Sequence, residues 1–268
     1  MSIRPDRPSP WIVAWHFLTA VPLPLPRAVQ DRAHQVDEAD LAASMVWYPV
    51  VGLLIGVILV VADIVLRELF HPSVAAGLVV VLLVVLTRGL HQDGLADTVD
   101  GLAGGRTPAA RLAIMRDPHI GALGATGLAL SLLLRYAALL ALPAGLRIAA
   151  LLSAPIVSRC AMVAMAVSLP AARSDGGLAA PFVAGLTRGH LWRTLLVAAL
   201  PLVVMALLLP RGLSVITSAG LCALVIVALL RRSYRQLFGG VSGDLLGATN
   251  EVVEISVLLV APLGGTVG

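Results

Sequence analysis

The sequence predicts an all-α fold, a polytopic integral membrane helix bundle of about six to seven transmembrane helices with a short N-terminal interfacial helix. Three observations carry that expectation. The 268 residues are 59% apolar and 13% charged, whereas a soluble domain is about 45–50% apolar and about 25% charged. Mean hydropathy is +0.95. Apolar runs long enough to cross about 30 Å of hydrocarbon recur along the chain. They lie near 45–66, 73–90, 120–142, 146–169, 194–210 and 213–230, with a shorter seventh at 252–263.

The first element, "WIVAWHFLTAV" at 11–21, is too short to span a bilayer and is read as an interfacial or re-entrant helix. It mimics a signal peptide but lacks a small-x-small cleavage site and runs into repeated prolines, so it is read as retained. The connections between spans set the orientation through their arginines. All nineteen basic residues are Arg. With the N-terminus cytoplasmic, fourteen of them lie inside and three (Arg67, Arg147 and Arg211) outside, while Arg135 and Arg159 fall within spans. The longest inner connections, 88–119 and 170–193, also gather the polar residues. The working face is therefore expected on the cytoplasmic side of the membrane, in a single transmembrane domain covering 1–268. No internal repeat is evident, which argues against an inverted-repeat transporter. The isoelectric point near 9.8 comes from loop anchors, not from a basic run interleaved with aromatics, so nucleic acid is not an expected partner. Cys160 and Cys222 lie in apolar stretches without metal-ligand spacing and read as buried thiols.

The chemistry gathers in "HQDGLADTVDG" at 91–101, which follows the second apolar run. As a helix, this stretch places Asp93, Asp97 and Asp100 within roughly 60° of one another. Like charges at that spacing repel by a few tenths of a kcal/mol even on an exposed helix. A divalent cation removes the penalty, and oxygen ligands favour Mg²⁺, Mn²⁺ or Ca²⁺ over zinc. A solvated polar loop capping a helix is the competing reading, and a position at a membrane mouth weighs against it. A second acidic stretch, "GGVSGDLLGATNEVVE" at 239–254, falls on the same side. It carries Asp244 and Glu251 on one helix face, with Glu254 further round.

Anion-binding groups lie nearby. "RLAIMRDPHIGALG" at 111–124 supplies Arg111, Arg116, Asp117 and His119, then a glycine-rich helix start whose free N–H groups suit phosphate. Positive-inside anchoring is the competing reading. Arg159, inside a span, needs a carboxylate or a substrate phosphate as partner. Carboxylates that hold a metal, with arginines at a membrane surface, point to phosphoryl transfer.

The motifs resemble those of the cobalamin-5'-phosphate synthase (adenosylcobinamide-GDP ribazoletransferase) family nearly end to end. They are "FLTAVPLP" (17–24), "YPVVGLLIG" (48–56), "GLHQDGLADTVDGL" (89–102), "LAIMRDPHIGALG" (112–124), "SR" (158–159), "GGL" (176–178) and the stretch 239–254. The resemblance implies a Mg²⁺-dependent transferase that joins adenosylcobinamide-GDP to α-ribazole or its 5'-phosphate and releases GMP. It implies Asp93, Asp97, Asp100 and Asp244 as metal ligands, and Glu251 as a further ligand or the base. It also implies Glu254 behind them, and Arg116, Asp117 and Arg159, with Arg111, holding substrate phosphates or ordering the metal site. Asp100 and Glu251 are the expected catalytic carboxylates, and His91 orients a carboxylate, serves as base, or makes a structural hydrogen bond. Partners on this reading are the two substrates and the lipid bilayer, with a homo-oligomer or association with other enzymes of cobalamin assembly compatible. Arg88, Gln92 and Pro118-His119 depart from the family pattern. A CDP-alcohol phosphotransferase is the nearest rival, but its D-G-x2-A-R motif is absent, since Asp97 stands where the A-R pair belongs. A membrane transporter is the rival from another class.

Overall fold

A computed structural model describes residues 9–23, 36–172, 183 and 185–265. It is helical throughout, and an isolated parallel bridge between Ala171 and Val241 is the only strand-like pairing among the described residues. The helices run α1 Pro10–Leu18, α2 Glu38–Ser44, α3 Tyr48–Leu69, α4 Pro72–Thr87, α5 Leu90–Gly104 and α6 Pro108–Ile114. They continue as α7 Ala122–Ala141, α8 Ala144–Ser168, α9 Arg188–Leu208, α10 Gly212–Leu237 and α11 Gly243–Val260.

Local chemistry sets these boundaries. Proline opens α1, α3, α4 and α6, where its missing N–H costs nothing. Asp37 and Asp40 form a capping box at α2, Thr107 caps α6, and Ser242 caps α11. Six helical segments among the described residues are long and apolar enough to cross a membrane: Glu38–Leu69, Ala122–Ala141, Ala144–Ser168, Arg188–Leu208, Gly212–Leu237 and Gly243–Leu263. The pair α4 and α5, bent by 89°, makes a seventh if counted as one span.

The acidic stretch restarts as a helix of its own and does not continue the second apolar run. Arg88 and Gly89 both take positive φ, 54° and 66°, which ends α4 and restarts the chain nearly at right angles as α5. The final span is not the short 252–263 segment. It begins at Gly243, so the acidic stretch forms its first half and enters the bundle.

Helix α8 is the buried axis. Helix α3 lies against it through Gly52 and Gly56, where an added Cβ would collide with the Pro155 carbonyl and approach the Leu151 carbonyl at 2.9 Å. Helix α1 is pressed into the bundle, with Ala14, Trp15 and Leu18 buried. Phe17 stacks on Tyr48 with centroids 6.2 Å apart. The ends of α4, α5, α7, α8, α10 and α11 meet at one end of the bundle. Ala20 N–H donates to the Leu86 carbonyl, and Val241 and Ala172 exchange bonds with the 170–172 and 241 backbone. Arg111 donates to the Leu237 carbonyl at 2.9 Å. At the other end Arg147 grips Asp63 through two bonds of 2.6 and 2.8 Å and also reaches the Leu139 carbonyl. Arg147, expected in an outer loop, is thus a buried ion-pair partner within α8.

Candidate active site

The crossing of α5 over α11 organises the site. Gly94 sits so close to Asp244 that an added Cβ would stand 2.7 Å from its carbonyl oxygen and 2.9 Å from its Cα. Gly247 faces His91 in the same way, its Cβ position 3.3 Å from the His91 Cα. The two acidic stretches, 150 residues apart, therefore run antiparallel in contact. Asp93 is exposed, and Asp97 and Asp244 are half-buried. Asp97 lies one turn further along α5 than Asp93. Asp93 and Asp244 line one cavity of about 110 Å³. Asp93 also lines a larger one of about 610 Å³ in the elbow between α4, α5 and α7.

Asp100, expected among the metal ligands and catalytic groups, is drawn to another task. Its two oxygens accept from Gly121 and Gly124 N–H, each at 2.7 Å. It caps α7, whose own N-cap Gly121 has no side chain to do so. The glycines leave room for the carboxylate, since a Cβ on either would collide with it. The helix start expected to bind phosphate is thereby filled by this chain's own carboxylate. Among the described residues no three His, Cys, Asp or Glu side chains stand close enough to hold a metal ion by themselves. The four aspartates expected around one ion are not drawn together as a set.

Glu251 and Glu254 do not reach the mouth either. They lie two to three turns inside α11, about 12–17 Å from its start at 1.5 Å per residue, and both are buried. Arg135 of α7 bonds Glu251 at 2.9 Å and Glu254 at 2.7 Å. Arg159 of α8 bonds Glu254 at 2.8 Å, and Ser158 donates to the same oxygen at 3.1 Å. Gln92 of α5 donates to Glu251 at 3.1 Å, and Asn250 meets His91 Nδ1 at 3.1 Å. Arg159 is wholly buried, so its partner is a carboxylate, not a substrate phosphate. Glu251, expected as ligand or base, is sealed off by Arg135 and Gln92. Sequence reasoning missed the parts of Asn250 and Ser158 in this network and gave Arg135, within its span, no partner among the acids. The signal was available, because a charge within a span needs an opposite charge at the same depth.

The connection 105–121 is the exposed part of the site. Arg116, Asp117 and His119 are exposed. Asp117 accepts from the His119 N–H at 2.9 Å and from its ring Nδ1 at 2.7 Å. These bonds, the backbone one first, hold its carboxyl below the usual range. Arg111 is half-buried and tied to α10 through Leu237. The "GGL" motif at 176–178 lies outside the described residues.

The family model of cobalamin-5-phosphate synthase matches residues 10–262. The chain belongs to the cobalamin-5-phosphate synthase family. Relatives named adenosylcobinamide-GDP ribazoletransferase share its sequence nearly throughout. That of Chlorobaculum tepidum is 38% identical, covering 94% of each chain. That of Syntrophobacter fumaroxidans is 39% identical, covering 92% of this chain and 96% of the relative. That of Stutzerimonas stutzeri is 38% identical, covering 93% and 96%. No solved structure matches. As a cobalamin-5-phosphate synthase family member the chain is an enzyme. Two residues expected to depart from the family pattern have definite places in the fold. Gln92 supplies the bond to Glu251. Arg88 takes the left-handed turn of the elbow and donates to the Thr19 carbonyl at 2.7 Å.

Proposed function

We propose that this chain joins adenosylcobinamide-GDP to α-ribazole or its 5'-phosphate with the help of Mg²⁺, releasing GMP, at the cytoplasmic face of a bacterial inner membrane. The observation that carries the reading is the Gly94–Asp244 contact, which brings both acidic stretches to the end of the bundle where the arginine-rich connection 105–121 lies. The names of the relatives support the substrates, and the excess of arginine on that side supports the orientation.

Asp93, Asp97 and Asp244 are the residues that would hold Mg²⁺. They offer oxygen only, which suits this ion, and Mg²⁺ commonly takes one or two carboxylates and completes its shell with water and substrate phosphates. A site lacking three converged protein ligands fits an ion that arrives with the pyrophosphate. Once bound, it offsets the pyrophosphate charge and eases departure of GMP. A ribose hydroxyl oxygen of the ribazole forms the new bond to the phosphorus carried by the cobinamide arm. The bond from that phosphorus to the GMP oxygen breaks, and the hydroxyl proton passes to water at the mouth. Exposed Arg116 is placed to meet phosphate oxygens. Purified protein in liposomes, given both substrates, should release GMP only with Mg²⁺. Turnover of a CDP-lipid in their place, or GMP release unchanged by a chelator, overturns the reading.

A further inference from the structure

The smaller cavity beneath the acidic mouth has walls unlike a phosphate site. Phe17, Met45, Tyr48, Met162 and Leu246 line it together with His91, and its more exposed lining includes Asp93 and Asp244. His91 is 1% exposed, and its Nε2 has no hydrogen-bond partner. The tautomer follows from its neighbours. Asn250 Nδ2 also points at Glu254 Oε2, at 3.4 Å, and that carboxylate accepts from Arg159. Turning the amide would set oxygen against carboxylate, so the amide NH₂ donates to His91 Nδ1. Nδ1 is then the acceptor and Nε2 carries the proton. A buried donor without a partner is unfavourable by about 1–3 kcal/mol.

We infer that this cavity receives a flat, mainly apolar heteroaromatic ring bearing one acceptor nitrogen, which His91 Nε2–H recognises. On the activity proposed above, which this inference rests on, that ring is the benzimidazole of the ribazole. The cavity is about 110 Å³, against about 150 Å³ for an engineered cavity that takes benzene. The imidazole ring, which carries both the acceptor nitrogen and the ribose, therefore lies between His91 and the acidic part of the lining, with the pliable Met45 and Met162 yielding around the benzo ring. The ribose then lies beside Asp93 and Asp244, where its hydroxyl meets the phosphorus. His91 binds the base end of the substrate and takes no proton from the reacting hydroxyl.

The test is direct binding to purified protein in nanodiscs of two ribosides. One carries 5,6-dimethylbenzimidazole, the other 5,6-dimethylindole, which has C–H in place of the acceptor nitrogen. Wild type is expected to bind the first at least about tenfold more tightly. His91→Phe should level the two while leaving KM for adenosylcobinamide-GDP unchanged, and Met162→Trp, which fills the cavity, should weaken both. Equal binding of the ribosides by wild type overturns the pocket even where GMP release is intact, as does discrimination that survives in His91→Phe. Wild type that binds and discriminates yet releases no GMP overturns the activity reading instead. Should His91→Phe fail to insert, the wild-type comparison decides.

Discussion

Arg135 of α7 and Glu254 of α11 are bonded at 2.7 Å inside the apolar bundle. With Glu251 and Arg159 they form a set of two cations and two anions, neutral in sum and shared by three helices. A complete buried set of this kind adds little net stability, but removing one member leaves a charge stranded, at about 3–5 kcal/mol. Arg135→Met is therefore expected to lower stability by that order, read as a fall in the unfolding midpoint in detergent. Adding Glu251→Gln to Arg135→Met should restore part of the loss, because it removes the carboxylate left without a cation, Glu254 keeping Arg159. A double mutant no better than the single one would show that Glu251 is not what Arg135 holds.

Asp97 and Asp100 sit three residues apart on α5 and should part company on mutation. Asp100→Asn turns one N–H acceptor of the α7 cap into a donor, so it should destabilise by about 1–2 kcal/mol. Its fall in activity should follow that loss of folded protein. Asp97→Asn should insert and fold yet be nearly inactive in GMP release, a loss greater than any fall in folded protein explains. Wild-type activity in Asp97→Asn would remove this residue from the metal site.

Much of this was legible in the sequence because the bilayer simplifies the physics. Apolar runs of about 20 residues have few ways to fold in hydrocarbon, and Asp93, Asp97 and Asp244 stay at the mouth where their charge can be solvated. The depth of α11 was not legible. Glu251 and Glu254 depress local hydropathy, so the run appears to begin at 252, and only Arg135 and Arg159 on other helices make their burial tolerable. Nor was the fate of Asp100. Its spacing places it with Asp93 and Asp97, but a glycine-started helix 21 residues on has N–H groups to satisfy and claims its carboxylate.

Gly94 tests whether the site depends on how closely α5 and α11 approach. Its Cβ position lies 2.7 Å from the Asp244 carbonyl oxygen, which is backbone and cannot swing away. Gly94→Ala must therefore separate the two helices at the mouth. Overpacking of this kind is unfavourable by about 1–3 kcal/mol, and activity should fall further than that loss of stability explains. Activity equal to wild type in a well-folded Gly94→Ala protein would mean that the contact does not set the distance between the acids.

Asp117 gives a pH expectation with a definite sign. Its carboxyl is lowered first by the His119 backbone N–H and then by the ring. A depressed carboxylate contributes in full above its unfolded value, about 3.9, and loses that contribution as pH falls through the lower folded value. The 117–119 turn should thus be insensitive to pH near neutrality, where the Asp117 carboxylate holds it in full, and loosen only below about pH 4. Hydrogen exchange at the His119 amide reads this directly, and faster exchange setting in already near pH 6 would contradict it.

Arg88 joins a backbone penalty to a side-chain gain, and two substitutions separate them. At φ 54° a residue with a Cβ sits about 1–2 kcal/mol less favourably than glycine. The Arg88 guanidinium offsets this by donating to the Thr19 carbonyl, a charge-assisted bond worth about 1.5–3 kcal/mol. Arg88→Ala keeps the penalty and loses the bond, so it should be the least stable of the three. Arg88→Gly loses both and should recover about 1 kcal/mol relative to alanine. The order glycine above alanine in thermal unfolding is the outcome to look for. Alanine equal to or above glycine would mean that the elbow between α4 and α5 does not require a left-handed residue at 88.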